Sequence, residues 1–185
     1  MIPNLLVHRY AKAFLELAVQ NDLVDKTLDD LLLIKTTIED NKELDSLIHQ
    51  PFVSKERKAN ILNRLFADRV ATISLNLVNL LIEKNRDSII TDIYDKYYEI
   101  YLDYKKIAVV TVTSAVALDE KTSNRIVNIL KHKIVNKDTI EIKNVVDKTI
   151  IGGFIVKYND YVYDASVTHT LKRLHSDFEE NLFVK

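Results

Sequence analysis

The sequence predicts a mainly α fold, with an N-terminal six-helix bundle over residues 1–106 and a small α/β C-terminal domain over residues 107–185. Three observations predict it. Apolar side chains recur every three or four residues through the first part, which is the period of an amphipathic helix. The second part begins with a β-branched run at residues 109–113, which favours a strand. The only two glycines, Gly152 and Gly153, are neighbours in the second part, so the first part has few positions suited to flexible loops.

Six amphipathic helices are predicted in the first part. Their apolar stripes contain, in chain order, Leu6, Tyr10, Phe14 and Leu17; Val24, Leu28, Leu31 and Ile38; Leu44, Leu47 and Ile48; Ile61, Leu62, Leu65 and Phe66; Val70, Ile73, Leu77, Leu80 and Leu81; and Ile90, Ile93, Tyr97, Tyr101 and Tyr104. Pro51 ends the third helix, because a residue that precedes proline avoids helical angles. Ser54 is the predicted N-cap of the fourth helix, since its side-chain oxygen can accept from a backbone amide. The sixth helix is predicted over residues 87–106.

In the second part, a helix is predicted after the first strand, with Asp119 as its N-cap. The apolar side of this helix carries Ile126, Val127, Leu130 and Ile134. Ile140 and Ile142 then alternate with charged residues, which is the pattern of a half-buried strand. A final amphipathic helix is predicted from the stripe formed by Leu171, Leu174, Phe178 and Leu182.

The glycine pair lies inside an apolar run, residues 150–156. Glycine inside a strand weakens it and usually marks a bulge, a bend or the close approach of another backbone. The pair is therefore predicted to be structural. Asn159 and Asp160 then predict a two-residue hairpin turn, because both residue types tolerate positive φ. The return strand is predicted over residues 161–167.

Composition excludes several classes of function. The chain has no cysteine, so thiolate metal sites, disulfides and cysteine nucleophiles are excluded, and a bacterial cytoplasm is the simplest compartment. We find no apolar run of membrane-spanning length and no secretory signal. The net charge is −1, but residues 1–50 carry nine acidic and five basic side chains, which weakly favours a basic partner there.

We predict no catalytic, cofactor or metal site. Asp164, Ser166 and His169 are the nearest approach to a catalytic triad, but they are local in sequence, whereas triads converge from separate elements. A helix cap by Ser166 or Thr168 explains them better. The tyrosines of the sixth helix could stack on nucleic-acid bases. Packing explains their helical spacing better, and acidic neighbours would repel phosphates, so a nucleic-acid-binding assembly factor is kept only as an alternative.

Two helices have more apolar surface than one stripe requires. In the fifth helix a second stripe runs beside the first, and the first helix shows a milder version of the same pattern. These second stripes contain Ala71, Leu75, Val78 and Ile82 in the fifth helix, and Val7, Ala11, Leu15 and Ala18 in the first. Either both helices are central in the bundle, or part of this surface forms a groove for an apolar helix of another protein.

In its motifs, the chain resembles the delta subunit family of F-type ATP synthases, the bacterial counterparts of the mitochondrial oligomycin-sensitivity-conferring protein. The N-terminal pieces that carry the resemblance are Arg9-Tyr10-Ala11-Lys12-Ala13, Leu17-Ala18, Pro51-Phe52-Val53-Ser54, Lys58, Leu80-Leu81 and Lys84-Asn85-Arg86. The C-terminal signature comprises Ile140, Ile142, Val146, Asp147, Ile150, Gly152, Gly153, Phe154, Val156, Lys157, Asn159, Asp164, Ser166, Val167, Leu171 and Leu174. Their order and spacing are more specific than any single piece.

The resemblance implies a non-catalytic stator subunit of the proton-translocating ATP synthase, at the cytoplasmic face of the bacterial inner membrane and joined to the membrane only through the complex. The N-terminal domain would bind the N-terminal helix of an alpha subunit in a groove between its first and fifth helices. The C-terminal domain would bind the b subunits of the peripheral stalk. The groove residues that we predict are Tyr10, Ala11, Phe14, Ala18, Ala71, Leu75, Val78 and Ile82.

Overall fold

A computed structural model of the chain describes residues 4–131, 134, 136–159 and 161–173. By its internal contacts the chain divides into two units, Met1–Tyr101 and Leu102–Lys185. The predicted division, after residue 106, lies slightly later than this one.

Every regular element described in the first unit is helical, and the last helix ends within the second unit's residue range. The helices of the first unit are α1 (Asn4–Gln20), α2 (Val24–Asp40), α3 (Lys42–His49), α4 (Lys55–Phe66), α5 (Thr72–Glu83) and α6 (Ile90–Tyr104), and a 3-10 turn over Asp87–Ile89 leads into the last of them. The predicted cap of α4 is confirmed, because Ser54 Oγ accepts from the Arg57 amide at 3.3 Å. Asn41 caps α3 in the same way, accepting from the Glu43 and Leu44 amides. Short polar side chains thus begin both helices, as their preference for N-caps requires.

One continuous apolar core holds these helices together. Its largest fully buried side chains include Tyr97, Phe66, Ile34 and Leu62. The Tyr97 ring packs against Phe14 with the ring centroids 5.6 Å apart. Its hydroxyl bonds the buried Thr27 hydroxyl at 2.6 Å, so the polar end of the ring is satisfied inside the core. The tyrosine stripe of α6 therefore serves packing at this position, as predicted.

The second unit contains a four-stranded sheet. Its elements are β1 (Ile107–Ser114), α7 (Glu120–Lys131), β2 (Thr139–Val146), β3 (Phe154–Tyr158) and β4 (Tyr161–Asp164), and residues 167–173 are helical. The strand order is β2-β1-β3-β4. β1 pairs parallel with β2, as a crossover through a helix allows, and antiparallel with β3. The prediction of a mainly helical fold with a small C-terminal sheet is confirmed.

A small core lies between this sheet and α7. Val110 and Val112 of β1 are fully buried and pack with Ile126 and Leu130 of α7 and Val156 of β3. The predicted cap of α7 is confirmed, because Asp119 Oδ1 accepts from the Thr122 amide at 3.1 Å. The return strand is shorter than predicted and ends at Asp164. The predicted turn residue Asp160 and the stripe residues Leu174, Phe178 and Leu182 lie outside the described residues.

Candidate functional site

The predicted groove residues of α1 are mostly buried. Ala11 and Ala18 are 0% exposed and Phe14 is 3% exposed, since all three face the core of the first unit. Tyr10 lies at the edge of this buried face and is only partly covered. Of the four predicted α1 residues, Tyr10 therefore has the most surface available to a partner.

The predicted residues of α5 divide in a similar way. Val78 and Ile82 are core residues, at 1% and 2% exposed. Ala71 and Leu75 are partly buried. The core packs against the surface of α5 that lies between the two predicted stripes. The buried residues of α5 therefore include Leu77 from one stripe and Val78 from the other. Neither predicted stripe is exposed along its whole length.

The surplus apolar surface lies beside these buried faces. On α1 it forms an outer stripe, which consists of Leu6, Tyr10, Ala13 and Leu17. On α5 it forms an outer stripe, which consists of Ile73 and Leu80, on either side of the buried Leu77. Leu17 is 42% exposed and Leu80 is 41% exposed, so each leaves apolar surface uncovered. Our groove prediction omitted both, although the spacing of three and four residues along each stripe is visible in the sequence.

A side-chain contact joins the turn that follows α5 to α1. Arg86 follows α5 in the turn to the next helix, where Asn85 adopts a positive φ of 56°. The Arg86 guanidinium donates to the Tyr10 hydroxyl, and its carbon lies 5.3 Å from the centre of the Tyr10 ring. The opposite flank of α5 faces α4, since Asn79 donates to Asn63 at 3.0 Å. The outer stripe of α5 is thus on the side that faces away from α4.

Buried polar groups fix the position of α5 at its other end. Asp30 of α2 is 1% exposed. Its Oδ2 accepts from the Ala71 amide at 2.7 Å and from the Ser74 hydroxyl at 2.8 Å, while Oδ1 pairs with Lys26 at 2.8 Å. A carboxylate at a helix N-terminus satisfies free amides and favours the positive end of the helix dipole. α5 is therefore held at both ends by side chains from other helices.

The glycine pair allows a close backbone crossing in the second unit. Gly153 has a φ of +80°, and a Cβ placed on it would lie 2.3 Å from the Ala165 carbonyl oxygen. The Val167 amide donates to the Gly152 carbonyl at 3.0 Å, which holds the two segments together. The pair lies in a bend just before β3, and not within a strand as its flanking residues suggested. Its structural role matches the close approach that we predicted from the sequence.

Asp164, Ser166 and His169 lie together, and helix capping accounts for their arrangement. Ser166 Oγ accepts from the His169 amide at 3.1 Å, so the serine begins the helical residues 167–173. Asp164 accepts from the Ser166 amide at 2.8 Å. Hydrogen bonding from Ser166, by its side chain and its amide, lowers the pKa of Asp164 below its usual range. The His169 ring lies 3.9 Å from Asp164 and has no hydrogen bond to the serine oxygen among the described contacts. Phe154, another residue of the C-terminal signature, is partly buried and packs against the core of the second unit.

In the described part of the chain, no group of three or more histidine, aspartate or glutamate side chains could hold a metal ion. No helix among the described residues has both the length and the apolar character needed to cross a membrane.

Comparison with known proteins decides the family. The model of the ATP synthase delta (OSCP) subunit family matches residues 6–178, almost the whole chain. The chain belongs to the ATP synthase delta (OSCP) subunit family. The resemblance read from the sequence motifs is confirmed.

Individual relatives agree with this assignment. The ATP synthase subunit delta of Flavobacterium psychrophilum is 36% identical over 168 residues, which cover 90% of this chain and 92% of the relative. That of Christiangramia forsetii is 30% identical over 95% of this chain and 94% of its own. A chain in the mitochondrial ATP synthase of Toxoplasma gondii superposes with a TM-score of 0.64, covering 94% of this chain and 97% of that chain. At 21% identity, the last match supports the fold only.

Membership in the delta (OSCP) family defines the general role. Delta subunits are structural components of the peripheral stalk of ATP synthase and are not catalytic themselves, so this chain takes part in ATP synthesis and ion transport. The alternative of a nucleic-acid-binding assembly factor gains no support from any of these comparisons.

Proposed function

We propose that this chain is the stator subunit that links the catalytic head of the ATP synthase to its peripheral stalk and resists the torque of the rotor. Its first unit, a six-helix bundle like that of the family, binds the N-terminal helix of an alpha subunit. Its second unit binds the b subunits. The complex holds the chain at the cytoplasmic face of the bacterial inner membrane, and the chain contributes no active site, cofactor or metal.

The observation that carries this proposal is the pair of outer stripes on α1 and α5. Both are apolar, both include a leucine more than 40% exposed, and the Arg86–Tyr10 contact joins the turn after α5 to α1. An amphipathic helix that docks along them would bury these leucines, and desolvated apolar area is the main source of affinity in helix-in-groove recognition.

The buried residues of our predicted groove support the outer stripes from beneath. Ala11, Ala18, Phe14, Val78 and Ile82 pack into the core of the first unit and leave almost no surface for a partner. Ala71 and Leu75 are partly buried. The outer stripes then form the two rims, and Tyr10 belongs to both groups.

Substitution of Leu80 tests the groove. Leu80→Glu places a charge on the rim without disturbing the core, so we expect affinity for the alpha-subunit N-terminal peptide to fall by about 2 kcal/mol, roughly thirtyfold. Isothermal titration calorimetry with the full chain measures this. Leu32→Glu on α2 is the matched control, because Leu32 is also 41% exposed but lies outside both stripes. Ile82 is unsuitable for this test because it is a core residue. Equal affinities for the two variants, both folded by circular dichroism, would reject the groove.

A further inference from the structure

Arg86 differs from the other basic side chains that the first unit covers. Among the described residues of this unit, the basic side chains that are buried or half-buried are Lys35, Lys58, Arg86 and Lys96. Each lysine of this set pairs with a carboxylate, in the pairs Lys35–Asp95, Lys58–Asp87 and Lys96–Glu99. In the part of the chain that the structure describes, Arg86 pairs with no carboxylate, and its guanidinium donates only to the Tyr10 hydroxyl. Because a half-buried charge is costly without a counter-charge, Arg86 is a candidate contact for an anionic group of a partner.

The acidic residues of the turn that carries Arg86 are engaged with lysines. Glu83 Oε1 lies 3.1 Å from Lys84 Nζ. Asp87, the residue after Arg86, pairs with Lys58. The turn itself therefore does not neutralise the guanidinium.

Lysines of α4 hold this turn on both sides of Arg86. Lys55 Nζ donates to the Glu83 carbonyl, three residues before Arg86, at 2.8 Å. Lys58, which is only 5% exposed, pairs with Asp87 on the other side. The backbone at Arg86 is thus held in place before a partner binds, and a contact that is ordered in advance loses less conformational entropy on binding.

Tyr10 holds the guanidinium at the outer stripe of α1. The guanidinium carbon lies 5.3 Å from the centre of the Tyr10 ring, within the range of a cation–π contact, and one N–H group donates to the hydroxyl. A guanidinium has five N–H donors, whereas the Tyr10 hydroxyl is a single neutral acceptor. The remaining donors form a planar fork that matches the two oxygens of a carboxylate. A helix docked along this stripe can place an acidic side chain, next to its apolar face, on that fork.

We infer that Arg86 is a specificity-determining residue of the proposed groove, and that its guanidinium pairs with a carboxylate of the docked alpha-subunit helix. This inference rests on the proposed function, because it names a polar contact at the surface that the outer stripes form. Apolar stripes accept many amphipathic helices. The arginine favours a helix, and a register of that helix, in which an acidic side chain meets the fork.

Arg86→Gln in the full chain tests this inference by isothermal titration calorimetry, with the alpha-subunit N-terminal peptide as the probe. We expect the affinity to fall about tenfold, because a neutral amide cannot replace charge-assisted hydrogen bonds. Arg86→Lys keeps the charge but loses the planar fork, so its affinity should lie between those of the wild type and Arg86→Gln. Arg64→Gln is the matched control. Arg64 is an exposed arginine of α4, outside both outer stripes, and its substitution should leave the affinity unchanged.

A double-mutant cycle separates pairing with the partner from a structural role of Arg86. Each acidic residue of the peptide is replaced in turn by its amide, and each peptide is titrated against the wild-type chain and Arg86→Gln. We expect one replacement to weaken binding to the wild type about tenfold and binding to Arg86→Gln by less than about twofold.

Two outcomes would overturn the inference. One is an affinity of Arg86→Gln for the unmodified peptide equal to that of the wild type. The other is a loss of affinity in Arg86→Gln that is the same for every peptide, because that loss would reflect only the structure of the turn. If the wild-type chain itself failed to bind the peptide, the proposed function would fail instead.

Discussion

The two units of this protein differ in how they bury their apolar residues. Among the described residues, the core of the first unit contains 22 buried side chains, whereas that of the second contains five. The first unit also buries polar groups that bond across its helices, such as Asp30 with Ser74 and Thr27 with Tyr97. The second unit instead leaves Ile151, among others, largely exposed.

This difference shows that the two units obtain stability in different ways. A large core with satisfied polar links can hold a helical unit together without a partner. A small core buries less area, so backbone geometry and local caps contribute a larger share of the stability. We expect substitutions in the first unit to lower its stability by removing contacts between helices. We expect substitutions in the second unit to lower its stability by straining the backbone at turns.

The largest expected effect is that of Gly153→Val on the second unit. A side chain there must adopt a φ of +80° and displace the Ala165 carbonyl, which its Cβ would otherwise approach to 2.3 Å. Strain and overpacking together should destabilise the unit by about 4 kcal/mol. Hydrogen exchange followed by mass spectrometry measures each unit separately, and protection should fall in residues 107–173 while α1–α6 keep theirs.

Gly152→Ala is the control for this prediction. A Cβ on Gly152 would meet only the Val167 side chain, at 3.2 Å, so a small shift accommodates it. We expect a loss below about 1.5 kcal/mol. If Gly153→Val destabilised the second unit no more than Gly152→Ala does, backbone geometry at the glycine pair would not determine the stability of that unit.

An intermediate effect is expected for Asp30→Ala in the first unit. The substitution leaves the Ala71 amide and the Ser74 hydroxyl without their buried acceptor and Lys26 without its partner. Losing these charge-assisted bonds should cost about 3 kcal/mol. The same exchange experiment should show lower protection in α5 and the helices that contact it, with the second unit unchanged.

Asp29→Ala provides the comparison for Asp30, because Asp29 is the exposed neighbour on the same helix. Surface substitutions of this kind usually change stability by less than about 0.5 kcal/mol. Equal stability of the two variants would show that the buried link between α2 and α5 contributes little to the first unit.

Local signals predicted much of the fold. Ser54 and Asp119 cap the helices that follow them, because the capping residue and the amides it accepts from are neighbours in the chain. Periodicity predicted the helices and the change to strands for the same reason. Asp30 gave no such signal, because it lies 41 residues before the Ala71 amide to which it bonds. The pairing of α2 with the start of α5 depends on tertiary packing.

The candidate groove shows the same limit. The sequence indicated that α1 and α5 carry too much apolar surface, but it did not show which part is covered. Leu77 and Val78 are neighbours assigned to different stripes, and the core buries both. The surface left over includes Leu17 and Leu80, which only the packing of the other helices identifies. Similarly, the sequence indicated that the glycine pair has a structural role, but it did not indicate that residues 165–166 cross close to the pair.

The smallest expected effect is an acid sensitivity of the second unit. Hydrogen bonds from Thr122, Thr149 and Ser166 lower the pKa of Asp119, Asp147 and Asp164 respectively. A carboxylate whose pKa is lower in the folded chain contributes stability that is complete above its unfolded pKa, about 3.9. That contribution is lost as the pH falls through the lower folded pKa, because protonation weakens the hydrogen bonds that the charged form accepts.

Because all three carboxylates belong to the second unit, we expect its urea midpoint to fall as the pH is lowered below about 4. Resolved NMR signals from each unit would follow both transitions in one sample, and the carboxyl resonance of Asp164 would report its pKa directly. Asp164→Asn is uncharged at every pH, so its midpoint should depend less on pH than that of the wild-type chain. Two results would contradict this prediction: a urea midpoint of the second unit that is the same at neutral and acidic pH, or a pKa of Asp164 equal to its unfolded value. Either result would show that the hydrogen bonds of these carboxylates do not stabilise the second unit.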